Sequence, residues 1–556
     1  TQPSGKINTL ALDIPLQAAD KTRFQASWSD LAWKQWKLLP GAEHFSGTLS
    51  GSVENGLLTA SMKQAKMPYE TVFRAPLEIA DGQATISWLN NNKGFQLDGR
   101  NIDVKAKAVH ARGGFRYLQP ANDEPWLGIL AGISTDDGSQ AWRYFPENLM
   151  GKDLVDYLSG AIQGGEADNA TLVYGGNPQL FPYKHNEGQF EVLVPLRNAK
   201  FAFQPDWPAL TNLDIELDFI NDGLWMKTDG VNLGGVRASN LTAVIPDYSK
   251  EKLLIDADIK GPGKAVGPYF DETPLKDSLG ATLQELQLDG DVNARLHLDI
   301  PLNGELVTAK GEVTLRNNSL FIKPLDSTLK NLSGKFSFIN SDLQSEPLTA
   351  SWFNQPLNVD FSTKEGAKAY QVAVNLNGNW QPAKTGVLPE AVNEALSGSV
   401  AWDGKVGIDL PYHAGATYNI ELNGDLKNVS SHLPSPLAKP AGEPLAVNVK
   451  VDGNLNSFEL TGQAGADNHF NSRWLLGQKL TLDRAIWAAD SKTLPPLPEQ
   501  SGVELNMPPM NGAEWLALFQ KGAAESVGGA ASFPQHITLR TPMLSLGNQQ
   551  WNNLRI

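Results

Sequence analysis

The chain has 556 residues, a formal net charge of −15 and no cysteine. The missing cysteine excludes disulfides, thiolate metal sites and cysteine catalysis, and an acidic chain without a basic block lacks the phosphate-neutralising surface that nucleic-acid binding needs. Charged residues are 19% of the chain, 41% is hydrophobic and 15 residues are Trp, which is ample for a large core or a large apolar surface.

The chain opens on Thr1 without a signal peptide. An apolar run at 126–133 is far short of the ~18 residues that a membrane-spanning helix needs. The first helix is predicted over 153–162, where Leu154, Val155, Leu158, Ala161 and Ile162 share one stripe and Gly164-Gly165 ends it. Period-two alternation follows. Val192, Val194 and Leu196 alternate with Glu191, Leu193 and Pro195, and Leu213, Ile215, Leu217 and Phe219 alternate with Asp214, Glu216 and Asp218. Successive side chains of a strand point to opposite faces, so each run has an apolar and a more polar face, as in antiparallel sheet wetted on one side.

Thr273-Pro274 reads as a cap and first-turn proline for a helix over 273–286, with Leu275, Leu279, Leu283 and Leu286 as its stripe. Alternation resumes at 292–300 and returns at Phe336 and Phe338, at 372–376, at 418–422 and at 445–451. Pro389 opens a shorter helix containing Val392, Ala395 and Leu396. Asn511 with Glu514 resembles a capping box before Trp515, Leu516, Leu518 and Phe519. Asn221-Asp222-Gly223, Asp289-Gly290, Asn377-Gly378, Asn423-Gly424 and Asp452-Gly453 read as turns between strands. The closing Leu554-Arg555-Ile556 reads as mid-strand, so the chain is expected to be an interior piece of a longer protein.

The helices recur about every 120 residues, which points to a repeat of strands closed by a short helix. Direct identity supports it. Residues 196–224 align without gaps on 315–343: Leu196-Arg197-Asn198 meets Leu315-Arg316-Asn317, Pro205 meets Pro324, Asn212-Leu213 meets Asn331-Leu332, and Phe219-Ile220-Asn221 meets Phe338-Ile339-Asn340. The expected organisation is one continuous β-groove over 1–556 with approximate repeats 1–165, 166–286, 287–397 and 398–521, and the start of another at 522–556. On the order of 25–35 strands cannot lie in one flat sheet. The ladder must twist and curl, and its apolar face must close into a solid sandwich or form a trough. The two corresponding functions are a structural spacer without ligand and a conduit for apolar molecules.

Motifs for chemistry are missing. The eight histidines are scattered, with no pair at zinc spacing. Neither a Gly-x-Ser-x-Gly elbow nor a Walker loop occurs. Gly261-Pro262-Gly263 with Gly267 has its third glycine one place late for a dinucleotide loop, and reads as a turn. Asp289, Asp291 and Asn293 open like a calcium loop, but Ala294 and Ile300 stand where glycine and glutamate are required. No catalytic residue, metal or cofactor is assigned. Under the conduit reading, the trough is lined by Val192, Val194, Leu213, Ile215, Leu217, Phe219, Ile255, Val292, Leu296, Leu298, Val313, Leu315, Phe336, Phe338, Val372, Val374, Ile420, Val447 and Val449. Under the spacer reading, the same residues are dry core.

The phrase Pro324-Leu325, Leu329, Leu332, Gly334, Phe336, Phe338, together with 142–145 leading into Asp153-Leu154-Val155-Asp156-Tyr157-Leu158, resembles the AsmA-like proteins of Gram-negative bacteria. The resemblance covers essentially the whole chain. It implies a mostly β fold, an elongated, twisted antiparallel sheet curled into a hydrophobic groove of the bridge-like lipid-transfer type. It also implies a periplasmic location within an inner-membrane-anchored protein, and transport of phospholipid from the inner to the outer membrane. The partners would be phospholipids and, through parts outside this chain, the two membranes. The protein would be a monomer, not an enzyme, and would bind no nucleic acid.

Overall fold

A computed structural model describes all residues except 1, 2, 38, 304, 324, 325, 387, 478 and 524–530. Pro324-Leu325 of the resemblance therefore lie outside the described residues. The fold is mostly β, 62% strand and 13% helix. It divides into two compact units, Thr1–Lys260 with Arg295–Ala309, and Gly261–Ala294 with Lys310–Ile556.

The first unit is an antiparallel ladder in which each strand pairs with the next. Its strands are β1 (Ser4–Asp13), β2 (Arg23–Trp33), β3 (Ala42–Ser52), β4 (Asn55–Met67), β5 (Leu77–Asn91), β6 (Gly94–Ala106), β7 (Val109–Pro120), β8 (Trp126–Thr135), β9 (Ile162–Gly176), β10 (Gln189–Phe201), β11 (Leu210–Ile220), β12 (Gly223–Leu233), β13 (Val236–Ile245) and β14 (Lys252–Pro262). Between β8 and β9 the chain leaves the ladder for α1 (Glu147–Met150) and α2 (Lys152–Ala161). The observed α2 lies within one residue of the predicted helix at both ends.

The second unit begins with α3 (Val266–Asp271), a π turn over Lys276–Gly280 and α4 (Ala281–Glu285). The single helix expected over 273–286 is thus broken, and its last residue, Leu286, already opens β15 (Leu286–Asp289). Asp289-Gly290 is not a hairpin turn either. Gly290, at φ +92°, separates β15, which pairs with β17 (Thr308–Ile322), from β16 (Asp291–Pro301), which pairs with β14. The buried Asn318 amide donates to the carbonyls of Asp289 and Asp291 at 3.0 and 3.1 Å and holds this break closed.

The ladder continues through β18 (Ser327–Ile339), the short β19 (Asp342–Ser345) and β20 (Leu348–Trp352), then β21 (Gln355–Glu365) and β22 (Ala369–Trp380). After α5 (Glu390–Asn393), β23 (Leu396–Gly398) pairs with β26 (Val429–Ser431) in a separate two-stranded sheet. The main ladder runs on through β24 (Val400–Pro411), β25 (Thr417–Asp425), β27 (Ala446–Asn454), β28 (Ser457–Ala464), β29 (Asn468–Leu475) and β30 (Leu480–Ala489).

From β30 the pattern departs from the antiparallel expectation. β30 pairs in parallel with β31 (Gly502–Asn506) and β33 (Ala531–Ser532). β31 and β32 (Met510–Asn511) pair in parallel with β34 (Ile537–Leu546), which ends in an antiparallel pair with β35 (Gln549–Arg555). Parallel neighbours need a long return connection, and α6 (Gly512–Ala523) lies in the one between β31 and β34. The predicted capping box opens α6: Asn511 Oδ1 accepts from the Ala513 N–H at 3.1 Å, and the Asn511 amide donates to Glu514 at 2.8 Å.

The aligned segments explain their identity by backbone shape. Asn198 and Asn317, Asn212 and Asn331, and Asn221 and Asn340 all have φ between 50° and 54°. Asn tolerates this left-handed region better than other L-residues with a Cβ. The first two pairs flank matching β-bulges, where the register slips between Leu196 and Ala199 and between Leu315 and Asn318. A bulge bends its strand and increases its twist, so the repeated asparagines encode repeated local curvature. Asn317→Ala is expected to cost about 1 kcal/mol and Asn317→Gly a few tenths, measured as shifts of the urea midpoint. Equal losses for both variants would remove the conformational explanation.

Candidate functional site

Residues directly opposite one another in a ladder present their side chains to the same face. In the first unit the registers link Leu10, Ala26, Leu49, Leu58, Ile86, Gly99, Phe115 and Ile129 into one row across β1 to β8. A parallel row runs through Leu12, Phe24, Trp88, Leu97, Tyr117 and Leu127, with Gly51 and Gly56 between Phe24 and Trp88. The same face continues from Ala131 to Leu172, Val192, Phe219, Leu224 and Ile245. One apolar surface therefore extends across the whole first ladder.

Its covering is uneven. Over β9 to β14 it is packed shut: Leu154, Val155 and Leu158 of α2 are at most 1% exposed and join Leu196, Leu213, Ile215, Leu217, Leu224 and Ile255 in one core. Phe145, just before α1, reaches the Phe219 ring at 6.3 Å. Arg74 ties the helices to the β4–β5 connection through Glu147 and, at 2.5 Å, Asp156. Burial works against the Arg74 charge, but these two carboxylates raise its pKa and keep it ionised. Over β1 to β8 the described residues provide no such cover. Among the described residues up to Thr135, Ala42, Ala65 and Ile79 are the only buried apolar side chains. Leu10 is 62% exposed, and Leu58, Ile86, Phe115 and Ile129 are half-buried.

The second unit repeats the arrangement. Phe361, Val374, Val406, Ile420, Val451 and Leu460 form one row, and Val359, Leu376, Leu422, Val449 and Phe470 lie on another with Gly404 and Gly462 interposed. The β17–β22 part is core. Leu279 of the π turn, with Phe270 and Leu275, packs on Tyr370, Val372, Ile408 and Leu410. The Tyr370 hydroxyl donates to the Ser341 carbonyl at 2.6 Å, and burial pushes its pKa up to about 12. Beyond this cover, β24, β25, β27 and β28 carry no buried apolar side chain. Their opposite face is polar, with Asp403, Glu421 and Lys450 exposed or half-exposed. Among the described residues, no cluster of His, Asp or Glu is placed to hold a metal ion, and no helix is long and apolar enough to cross a membrane.

The predicted lining residues fall on these apolar faces in two environments. Leu213, Ile215, Leu217, Ile255, Val292, Val313, Leu315 and Val372 are buried. Val192, Val194, Phe219, Leu296, Leu298, Phe336, Phe338 and Val374 are half-buried, most of them against the packed clusters. Ile420, Val447 and Val449 lie on the uncovered stretch of the second unit. The uncovered face of β1 to β8 contributes no residue to the predicted set. Register slips at Lys6, Leu31, Ile79 and Gly99 interrupt its alternation, although Phe24, Ala26 and Trp28 keep a readable period of two.

Three predicted turns lie inside strands. Asn377-Gly378 is within β22, Asn423-Gly424 within β25 and Asp452-Gly453 within β27. At two of them a ring from a nearby residue lies across the glycine, Trp380 at Gly378 and Tyr418 at Gly453, whereas at Gly424 a Cβ would first meet the Val400 side chain, at 3.2 Å. A Cβ on Gly453 would sit 2.6 Å from the Tyr418 ring, and one on Gly56 would sit 2.1 Å from the Trp88 ring. Strand glycine mated to a cross-strand ring keeps its place in the ladder.

Long ladders that each leave part of one apolar face uncovered are the scaffold of a transport-type protein of the AsmA-like class. The family model described as YhdP protein matches residues 1–556, and the chain belongs to the YhdP family. That membership points to a non-enzymatic role related to lipid transport. No solved structure matches the chain.

Proposed function

We propose that the chain carries phospholipid across the periplasm, from the inner to the outer membrane, with acyl chains lying on the apolar faces of the two units and headgroups in water. The observation that carries this reading is the pair of uncovered apolar stretches, one over β1–β8 and one over β24, β25, β27 and β28. Water contact costs ~0.8 kcal/mol per CH₂, so a bare acyl chain costs on the order of 10 kcal/mol. An apolar strip removes that cost at every step along it. Such transport needs uniform walls without a deep trap, and aliphatic and aromatic strand faces supply them. We read the protein as a monomer whose membrane contacts are made by parts outside this chain, in line with a membrane-associated periplasmic family.

Native mass spectrometry of the purified chain, with extraction of bound lipid, tests the reading. Several phospholipids per chain are expected. A chain that stays empty after incubation with liposomes would instead mark the ladder as a spacer.

A further inference from the structure

The polar face of the first ladder carries a second feature, on the side away from the apolar rows. Arg112, Gly114 and Arg116 of β7 alternate with Gly113 and Phe115, and opposite them on β8 stand Gly132, Leu130 and Gly128. Together with Asp98 and Arg100 of β6 and Trp126 of β8, they line a shallow, open hollow of about 650 Å³. Its floor is glycine backbone at Gly114 and Gly132, with the exposed Leu130 between Gly128 and Gly132. A Cβ added at Gly132 would meet nothing within 4 Å, and Gly175, paired with Gly128, is equally open. The Trp126 indole lies flat across Gly128, where a Cβ would come within 2.2 Å of the ring, and its side chain is 41% exposed. Leu130 stands exposed beside it.

The charges are arranged for an anion. Arg116 Nε donates to Asp98 Oδ1 at 2.6 Å, Gln96 donates to Asp98 Oδ2 at 2.6 Å, and Arg112 Nε donates to Asp103 at 3.1 Å. Burial opposes the Asp98 charge, yet Arg116 and Gln96 hold its carboxyl below the usual range. Three guanidinium groups therefore face two carboxylates. Arg100 is only 3.9 Å from Asp98, and both Arg100 and Arg112 keep most of their side chains in water. This local excess of positive charge stands on a chain of net charge −15.

We propose that this hollow binds a carboxylated glycan. An exposed indole beside open glycine backbone offers a sugar ring a stacking surface and room to lie on the sheet. Guanidinium groups pair with carboxylate in a planar, charge-assisted geometry. A neutral sugar would use the ring alone, and an inorganic anion would use the arginines alone. An acidic glycan uses both.

The test is calorimetric titration of the full chain with short oligosaccharides of alternating N-acetylglucosamine and N-acetylmuramic acid, whose lactyl groups carry carboxylates. Neutral chitin oligosaccharides of equal length are the comparison. The acidic series is expected to bind at least about tenfold tighter, and to weaken as salt screens the charges. Gly132→Val puts a side chain on the floor where a Cβ meets nothing within 4 Å, suits a strand, and is expected to weaken binding at least about tenfold with an unchanged or raised melting temperature. Arg100→Gln is expected to lower affinity for the acidic series to that of the neutral one. Equal affinity for both series, no binding at all, or binding indifferent to Gly132→Val would overturn the proposal. So would phosphatidylglycerol vesicles occupying the hollow, read as vesicle binding sensitive to Gly132→Val in place of glycan binding.

Discussion

Ile86→Glu and Ile420→Glu are expected to leave the chain folded and to strip it of bound lipid. Both positions are half-buried on uncovered apolar stretches, so in the empty protein the new carboxylate reaches water. An acyl chain laid over it must either desolvate the charge or give up contact with that stretch. Desolvating an unpaired carboxylate costs several kcal/mol, and every 1.4 kcal/mol is tenfold in occupancy. Lipid recovered per chain should therefore fall about a hundredfold or more, with the melting temperature within a few degrees of the parent. Asn419→Glu, on the opposite face of the strand that carries Ile420, is the control and should retain lipid. Full lipid occupancy in both apolar-face variants would mean that lipid does not travel on these faces. Leu217→Arg, a natural choice from the sequence, is a poorer probe. Leu217 is 4% exposed inside the α2-covered core, so arginine there breaks packing before it tests passage.

Leu154→Ala is expected to lower the stability of the first unit by about 2–5 kcal/mol. Leu154 is 0% exposed and central to the contact of α2 with the sheet, so truncation leaves a cavity that the ladder, pinned by its hydrogen bonds, closes only in part. Adding Leu158→Ala should be non-additive, because the two side chains share one cluster. Hydrogen exchange by mass spectrometry should place the loss in β9 to β14 and α2, and spare β24 to β28. The unfolding curve need not be two-state in a chain of two units, so the local readout matters more than a single midpoint. A loss under about 1 kcal/mol would show that α2 rests on the sheet without bearing on its stability.

Much of the fold is legible in the sequence because alternation is a direct image of the pleat. β22 displays it without interruption and β11 does from Leu213 onward, and the stripe of α2 and the Asn511–Glu514 cap are equally plain. Which stretch of the apolar face stays uncovered is a different matter. Leu217 and Ile420 belong to the same residue class and the same kind of alternating run. What separates them is whether a helix from elsewhere in the chain lands on that stretch. No local pattern records this, so a sequence reading spreads its candidates over packed and uncovered regions alike. The parallel turn of the ladder at β30 and β31 depends on where a connection returns, and the hollow at Arg116 depends on which glycines become neighbours across strands. Both are properties of register.

The glycines mated to rings have a mechanical consequence. Trp28 leans over Gly47, Trp88 over Gly56, Phe115 over Gly99 and Phe470 over Gly462. A tryptophan beside another large residue would stand up from the sheet as a post. Laid down over a glycine, it becomes a low swell. For a flexible molecule sliding along the face, the friction is set by this corrugation, since each post must be climbed and each pit escaped. Flattened rings make the pits shallow, so the molecule is held everywhere at nearly the same depth. Under the proposed transport, the placing of glycine opposite aromatic residues would thereby set a speed as well as a shape.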